Sequence, residues 1–226
     1  MKPSTSIHET ITWGGRTYRC AHEITHDEVV ALLESAPLPA PARDFISKLK
    51  EISGGWPTTK HGDPRERWFQ ALEQLRTGEA IDPEIEIRKL DDDETERYSS
   101  QLRWNEHEFF CFHYVEPYHI AQILDDWERG RAEAVDVMAF AENLFFPFGV
   151  RGDYAPSDPR YEFVAIVGLL EMIYTNPILR EDIPVLKEAL ALLPSKPTQA
   201  GTLLDQYFNG LDRMTRLKEQ SSKQSE

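Results

Sequence analysis

Asp158-Pro159-Arg160-Tyr161-Glu162-Phe163-Val164-Ala165-Ile166-Val167-Gly168-Leu169-Leu170-Glu171-Met172-Ile173-Tyr174 is the stretch that decides the fold. Aspartate before proline is a helix start: the carboxylate accepts from an orphan N–H, and proline sits at the first helical position, where no N–H is needed. The residues after this start are apolar nearly all round, so the helix belongs in the centre of the folded body. The apolar run Phe163 to Leu170 is flanked by Glu162 and Glu171 and is far too short to span a bilayer.

A central helix needs partners, and the neighbouring sequence supplies them. Downstream, Leu179 to Leu193 and Pro197 to Leu217 read as helices, the second with Leu203, Leu204, Tyr207, Phe208, Leu211, Met214 and Leu217 on one stripe. Upstream, Arg131 to Phe146 is stopped by Pro147. Glu116-Pro117 opens a helix carrying Ile120, Ile123, Leu124 and Trp127 and ended by Gly130. Towards the N-terminus, Thr25-His26-Asp27-Glu28 is a capping box. Phe45, Leu49 and Ile52 mark a second helix, and Asp63-Pro64-Arg65-Glu66 starts a third, closed by Gly78.

Three stretches read as strands. Glu9 to Trp13 and Arg16 to Cys20 flank Gly14-Gly15, whose freedom at positive φ suits a two-residue turn. That turn pairs Ile11 with Tyr18 and Trp13 with Arg16, and puts Ile11, Trp13, Tyr18 and Cys20 on one face. Glu84-Ile85-Glu86-Ile87-Arg88 and His107 to Val115 alternate with period two. The expectation is an α+β fold, predominantly helical with about seven helices, and a small antiparallel sheet that includes the N-terminal hairpin. It forms a single globular domain over residues 5–217, with a disordered polar tail at 218–226. No repeat of solenoid length is visible.

Composition limits the function classes. The chain of 226 residues has 39 acidic and 25 basic residues, a net charge of −14. No net positive field exists to displace counterions from nucleic acid or to dock on an anionic membrane. The N-terminus shows no apolar signal segment, and there are only two cysteines, Cys20 and Cys111. Reduced thiols and a cytoplasmic location are expected.

The charge is uneven. Residues 81–150 hold 17 acidic and 6 basic groups, so most of the net charge lies there. Asp91, Asp92, Asp93, Glu94 and Glu96 are nearly contiguous; Asp125, Asp126 and Glu128 flank Trp127; Glu133 and Asp136 come next. A solvated face is the bland account. The functional account is an acidic platform for a basic protein, such as the cationic cleft of a nuclease-like toxin, in the manner of an immunity protein or antitoxin. Asp91 to Glu94 also offers hard oxygen ligands, but the alternation and turn glycine of a calcium loop are missing.

Candidate chemistry is sparse. Cys20-Ala21-His22 and Cys111-Phe112-His113 share a pattern that two adjacent strands could turn into a zinc site; buried sheet cysteines are the commoner outcome. Glu116 reads as a helix-start acid, and Asp63 beside His61 as a cap rather than a catalytic partner. Gly54-Gly55 lacks the length and lysine of a phosphate loop, so no cofactor is expected. Arg151-Gly152-Asp153 reads as incidental and Phe145 to Phe148 as a core plug. Two further readings stand beside the binding module. One is an enzyme whose His61, His107, His113 and His119 assemble with carboxylates only in the fold. The other is a helical adaptor that contacts a partner, or a second copy of itself, through its C-terminal helix.

Overall fold

The computed structural model describes residues 6–57, 59, 61–98, 102–109, 112–145, 154–175, 178–210 and 215–216. The fold is α+β and mainly helical. The hairpin β1 (Ile11–Trp13) and β2 (Arg16–Tyr18) precedes a 3₁₀ turn at Ala21–Glu23 and helices α1 (His26–Glu34), α2 (Ala40–Ile52), α3 (Arg65–Thr77) and α4 (Asp92–Tyr98). A second hairpin, β3 (Leu102–Trp104) and β4 (His107–Phe109), leads through a 3₁₀ turn at Phe112–Tyr114 to α5 (Pro117–Glu128), α6 (Ala134–Phe145) and α7 (Pro159–Glu171). A 3₁₀ turn at Arg180–Asp182, α8 (Ile183–Leu192) and α9 (Pro197–Asn209) complete the order. No helix among the described residues is long and apolar enough to cross a membrane.

The first hairpin has the expected register, Ile11 opposite Tyr18 and Trp13 opposite Arg16. Its inner face closes on α2, where the Trp13 ring stacks on Phe45 at 5.0 Å. The capping box at Thr25 forms, with the Thr25 amide donating to Glu28 Oε2 at 2.7 Å. Gly78 ends α3 at φ 77°, a left-handed position where a side chain would be strained.

Two expected strands differ. Glu84 to Arg88 joins no sheet, because each sheet is an isolated two-stranded hairpin. The strand expected from His107 to Val115 ends at Phe109, and Phe112–Tyr114 turns into a 3₁₀ segment that bends the chain into α5. Phe112 and His113 are buried in that turn, and Phe110 and Cys111 lie outside the described residues.

The structure also displays an internal repeat. A shift of 91 positions carries β1 onto β3, β2 onto β4, Cys20 onto Cys111, His22 onto His113 and the Thr25 cap onto Glu116. A shift of 95 carries Phe45 and Leu49 of α2 onto Phe140 and Leu144 of α6, and Asp63-Pro64-Arg65 onto Asp158-Pro159-Arg160. The contacts repeat as well: Trp13 meets Phe45, and Trp104 meets Phe140 with ring centroids 5.4 Å apart. Tyr18 lies against Phe45, and Phe109 against Phe140.

This repeat explains why the buried apolar residues form two clusters. One holds Tyr18, Val29, Leu32, Phe45, Leu49, Trp68, Leu72 and Leu75 between the first hairpin, α1, α2 and α3. The other holds their counterparts Phe109, Ile120, Ile123, Phe140, Leu144, Phe163, Val167 and Leu170, extended by α8 and α9. The apolar helix α7 lies in this second cluster, as its sequence requires. The α9 part of the expected C-terminal stripe packs on it too, with Ala200 and Leu204 buried and Leu203 and Phe208 against it; Leu211, Met214 and Leu217 lie outside the described residues.

Candidate functional site

Two polar features stand out, one buried between the clusters and one exposed. The buried feature grows from the repeated Asp-Pro-Arg starts. At α3, Asp63 Oδ1 accepts from the Arg65 amide at 2.9 Å, and the Arg65 guanidinium folds back on the same carboxylate at 2.7 Å. At α7, Asp158 and Arg160 do the same at 2.9 and 2.6 Å. Each clamped guanidinium also donates to a distant carbonyl: Arg65 to Tyr98 at 2.8 Å, and Arg160 across the seam to Ile52 at 3.3 Å. The N-terminal segment fastens the same seam, with Ser6 Oγ and the Ile7 amide donating to Glu116 at 2.6 and 2.9 Å.

Histidines fill the space beside these clamps. His8 Nε2 lies 3.2 Å from the Val115 carbonyl, so it carries a proton there. Its Nδ1 lies 3.2 Å from Nδ1 of His113, whose ring also bonds to the Ser53 backbone. Both are buried. Burial, assisted by the like charge of the partner ring and of Arg160, holds His8 at about 3. Burial and the Arg160 charge hold His113 at about 4. The repeat counterpart His22 sits at about 4 through burial and the Arg65 charge. Burial and the nearby guanidinium groups favour the neutral rings at ordinary pH.

The four histidines named from the sequence fall in three places. His113 pairs with His8; His107 and His119 meet edge to face at 5.1 Å; His61 lies exposed in the loop before α3. A cavity of about 430 Å³ at the seam, bounded by Lys50, Gly54, Arg76, Tyr154, Asp158 and Arg160, contains none of them. Cys20 is buried in the second cluster, and Cys111 lies outside the described residues. Among the described residues no three His, Cys, Asp or Glu side chains are placed to share a metal ion. Residues 146–153 and 218–226, which hold most of the expected Phe145–Phe148 plug, the Arg-Gly-Asp tripeptide and the tail, are outside the described residues.

The exposed feature is acidic, and the structure treats its two predicted groups differently. In the second group the carboxylates are matched. Lys187 of α8 donates to Asp125 and lies 3.3 Å from Glu128. Asp126 is buried and accepts from Trp104, Asn105 and Arg131 at 2.9, 2.8 and 2.8 Å. Those bonds outweigh the cost of burial and hold its carboxyl below the usual range. Glu133 lies 3.6 Å from Arg180, and Asp136 accepts from the Glu133 amide at the start of α6.

The first group sits on the other cluster, on a ribbon that leaves the Gly78 cap and runs along α3. Ile81, Ile87 and Leu90 pack against the first cluster. Asp82 N–H donates to Gln74 Oε1 at 3.1 Å, and Trp68 Nε1 donates to the Arg88 carbonyl at 3.1 Å. At its end Asp91 caps α4, accepting from the Glu94 amide at 2.8 Å, and Glu94 holds Arg88. Along the ribbon Asp82, Glu84, Glu86, Asp91, Asp92 and Asp93 are exposed, and among the described residues none of them forms an ion pair. The side chain of Glu96 lies outside the described residues. No hydrogen bond or ion pair among the described residues joins the two acidic groups.

Of the predicted platform, then, Asp91, Asp92 and Asp93 form no ion pair among the described residues and Glu94 holds Arg88, whereas four of the five carboxylates between Asp125 and Asp136 have basic neighbours. Sequence reading did not single out Asp82, Glu84 and Glu86 as part of that surface, although their alternation with Ile85 and Ile87 was visible. It also did not find His8, Arg65 or Arg160; the twice-written Asp-Pro-Arg and Cys-x-His were the available signals. No family model, no characterised protein sequence and no solved structure matches this chain.

Proposed function

We propose that this chain is a protein-binding module that docks a basic partner through the acidic ribbon from Asp82 to Asp93, acting as an inhibitor or escort of the immunity-protein kind. The observation that carries the reading is the contrast between the two acidic groups. Four of the five carboxylates between Asp125 and Asp136 have basic neighbours, while Asp82, Glu84, Glu86, Asp91, Asp92 and Asp93 are exposed and form no ion pair among the described residues. Unpaired surface charge of one sign raises self-repulsion and contributes nothing to packing, and it is the form of charge that steers an oppositely charged protein.

The repeat supports the same reading. After α7 the chain folds into the apolar pair α8 and α9; after α3, at the corresponding place, it lays down a charged ribbon. The two units share a frame and differ where a partner would be read.

Capture experiments at low salt should recover a basic protein that is released as salt rises towards a few tenths molar, where the screening length shrinks to several ångströms. Replacing Asp91, Asp92 and Asp93 together by Asn should slow association about tenfold and leave dissociation nearly unchanged. Retention that is indifferent to salt and to the triple replacement would contradict the proposal.

A further inference from the structure

The ribbon has a second property, independent of its charge. Between Ile85 and Arg88 the burial alternates, with Ile85 and Ile87 half-buried and Glu86 and Arg88 exposed. That is the pattern of extended chain. Yet the segment belongs to no sheet. Among the described residues the amides of Glu86, Ile87, Arg88, Lys89 and Leu90 donate to nothing, and the only carbonyl of this stretch that is taken is that of Arg88, by Trp68. Main-chain groups left this way on an extended segment form a template for another strand.

Direction comes from strand geometry. In extended chain the N–H and C=O of one residue point to the same side, and successive residues alternate. Trp68 on α3 takes the carbonyl of Arg88, so the edge bearing Glu86 and Arg88 faces the body. Ile87 and Lys89 then present their amides and carbonyls outward, and Ile85 its carbonyl, its amide being bonded to the Asp82 carbonyl at 3.0 Å. The face above carries the carboxylates of Glu84 and Glu86, with Asp82 at one end and Asp91, Asp92 and Asp93 at the other.

We infer that the segment from Ile85 to Lys89 is a strand-addition edge, and that the basic partner docks by pairing an extended segment with it. That segment carries lysine or arginine at every second position, opposite Glu84 and Glu86. The main chain supplies affinity and the alternating charges set register. This inference rests on the binding proposal and specifies its mode. Half-buried Ile87 keeps the edge in place on the first cluster, and Arg88, which shares a face with Glu84 and Glu86, is held by Glu94.

The test uses the full chain and two synthetic peptides of alternating lysine and threonine, about seven residues long, a length that spans the edge as one strand. The two are identical in charge. One has an unmodified backbone; in the other, every amide is N-methylated so that neither edge can donate to a ladder. At low salt the unmodified peptide should bind, and the methylated one should bind about tenfold or more weakly, the loss expected from two or three main-chain hydrogen bonds. Amide exchange at Ile87 and Lys89 should slow only with the unmodified peptide. Equal binding of both peptides, with no protection at those amides, overturns strand addition and leaves charge-driven docking standing. Binding of neither peptide at low salt overturns the strand inference and the acidic-docking proposal together. A Lys89→Pro variant, compared with Lys89→Ala, gives an independent check: both lose the charge, and only the proline loses the outward N–H.

Discussion

Lowering the pH from about 7 to about 5 is expected to remove most of the stability of this protein, through histidines and not through carboxylates. His8, His22 and His113 are held neutral in the fold, at about 3, 4 and 4, against an ordinary value of 6.5. The sign is set by which state binds more protons. Below 6.5 the unfolded chain takes up a proton at each site while the folded chain takes up none until near 4. Stability is therefore unaffected above the unfolded value and falls as pH falls through the interval. Each histidine contributes a slope of roughly 1.4 kcal/mol per pH unit, and three together roughly 4. Against a net stability on the order of 5–15 kcal/mol, that is enough to unfold the chain in mild acid. His119, held at about 4 by burial and the neighbouring His107, adds in the same direction.

Denaturant midpoints measured across that interval check it. His113→Asn keeps a hydrogen-bonding side chain beside His8 Nδ1 but cannot titrate, so its stability should fall with pH by about one proton less than the parent. Stability that stays level down to about pH 5 would rule out the neutral histidine centre.

The second large effect is expected at Asp182. Its carboxylate is completely buried and accepts from the Leu179 amide at 2.7 Å, the Tyr207 hydroxyl at 2.8 Å and Arg216 at 2.6 Å. These bonds tie the 3₁₀ turn before α8 to α9 and to the chain beyond it. Removing the acid breaks the buried pair, leaves Arg216 with the exposed Glu181, at 3.0 Å, as a remaining acidic partner, and takes the acceptor from the Tyr207 hydroxyl, which costs about 3 kcal/mol. Asp182→Ala should lower stability by that amount. Asp182→Asn, which retains an acceptor oxygen and the shape but not the charge, should cost less. A double replacement with Arg216→Met should recover part of the loss, because the buried cation goes with it. An alanine variant within about half a kcal/mol of the parent would mean that the network is not closed in solution.

Much of the architecture could be read locally. Caps, prolines and glycines act within a few residues, so Thr25, Asp63, Asp158 and Gly78 marked their helices correctly, and Gly14-Gly15 fixed the first hairpin down to its pairs. Period-two alternation was legible too, but alternation reports one-sided burial and not a ladder partner. That is why Glu84 to Arg88 looked like a strand of a sheet and is instead an extended ribbon along a helix. The internal repeat escaped because its period exceeds those of solenoids and changes from 91 to 95 between α1 and α2 and their counterparts, and because few identities survive.

The site was legible only in part. The acidic block is a matter of counting, and counting found it. Which carboxylates stay free depends on Lys187 and Arg180, more than forty positions from the acids that they neutralise, and no spacing rule links them. The buried seam depends on His8 and His113, more than a hundred positions apart, and on Arg160, whose role is visible only once α7 lies against the end of α2.

The proposal that the ribbon is the docking face is tested most directly by zero-length carbodiimide coupling of the full chain to a lysine-rich peptide at low salt, with the joined carboxylates located by mass spectrometry. Coupling concentrated at Asp82, Glu84, Glu86, Asp91, Asp92 and Asp93 is the predicted result. Coupling concentrated between Asp125 and Asp136, or spread evenly over the acidic surface, would contradict it.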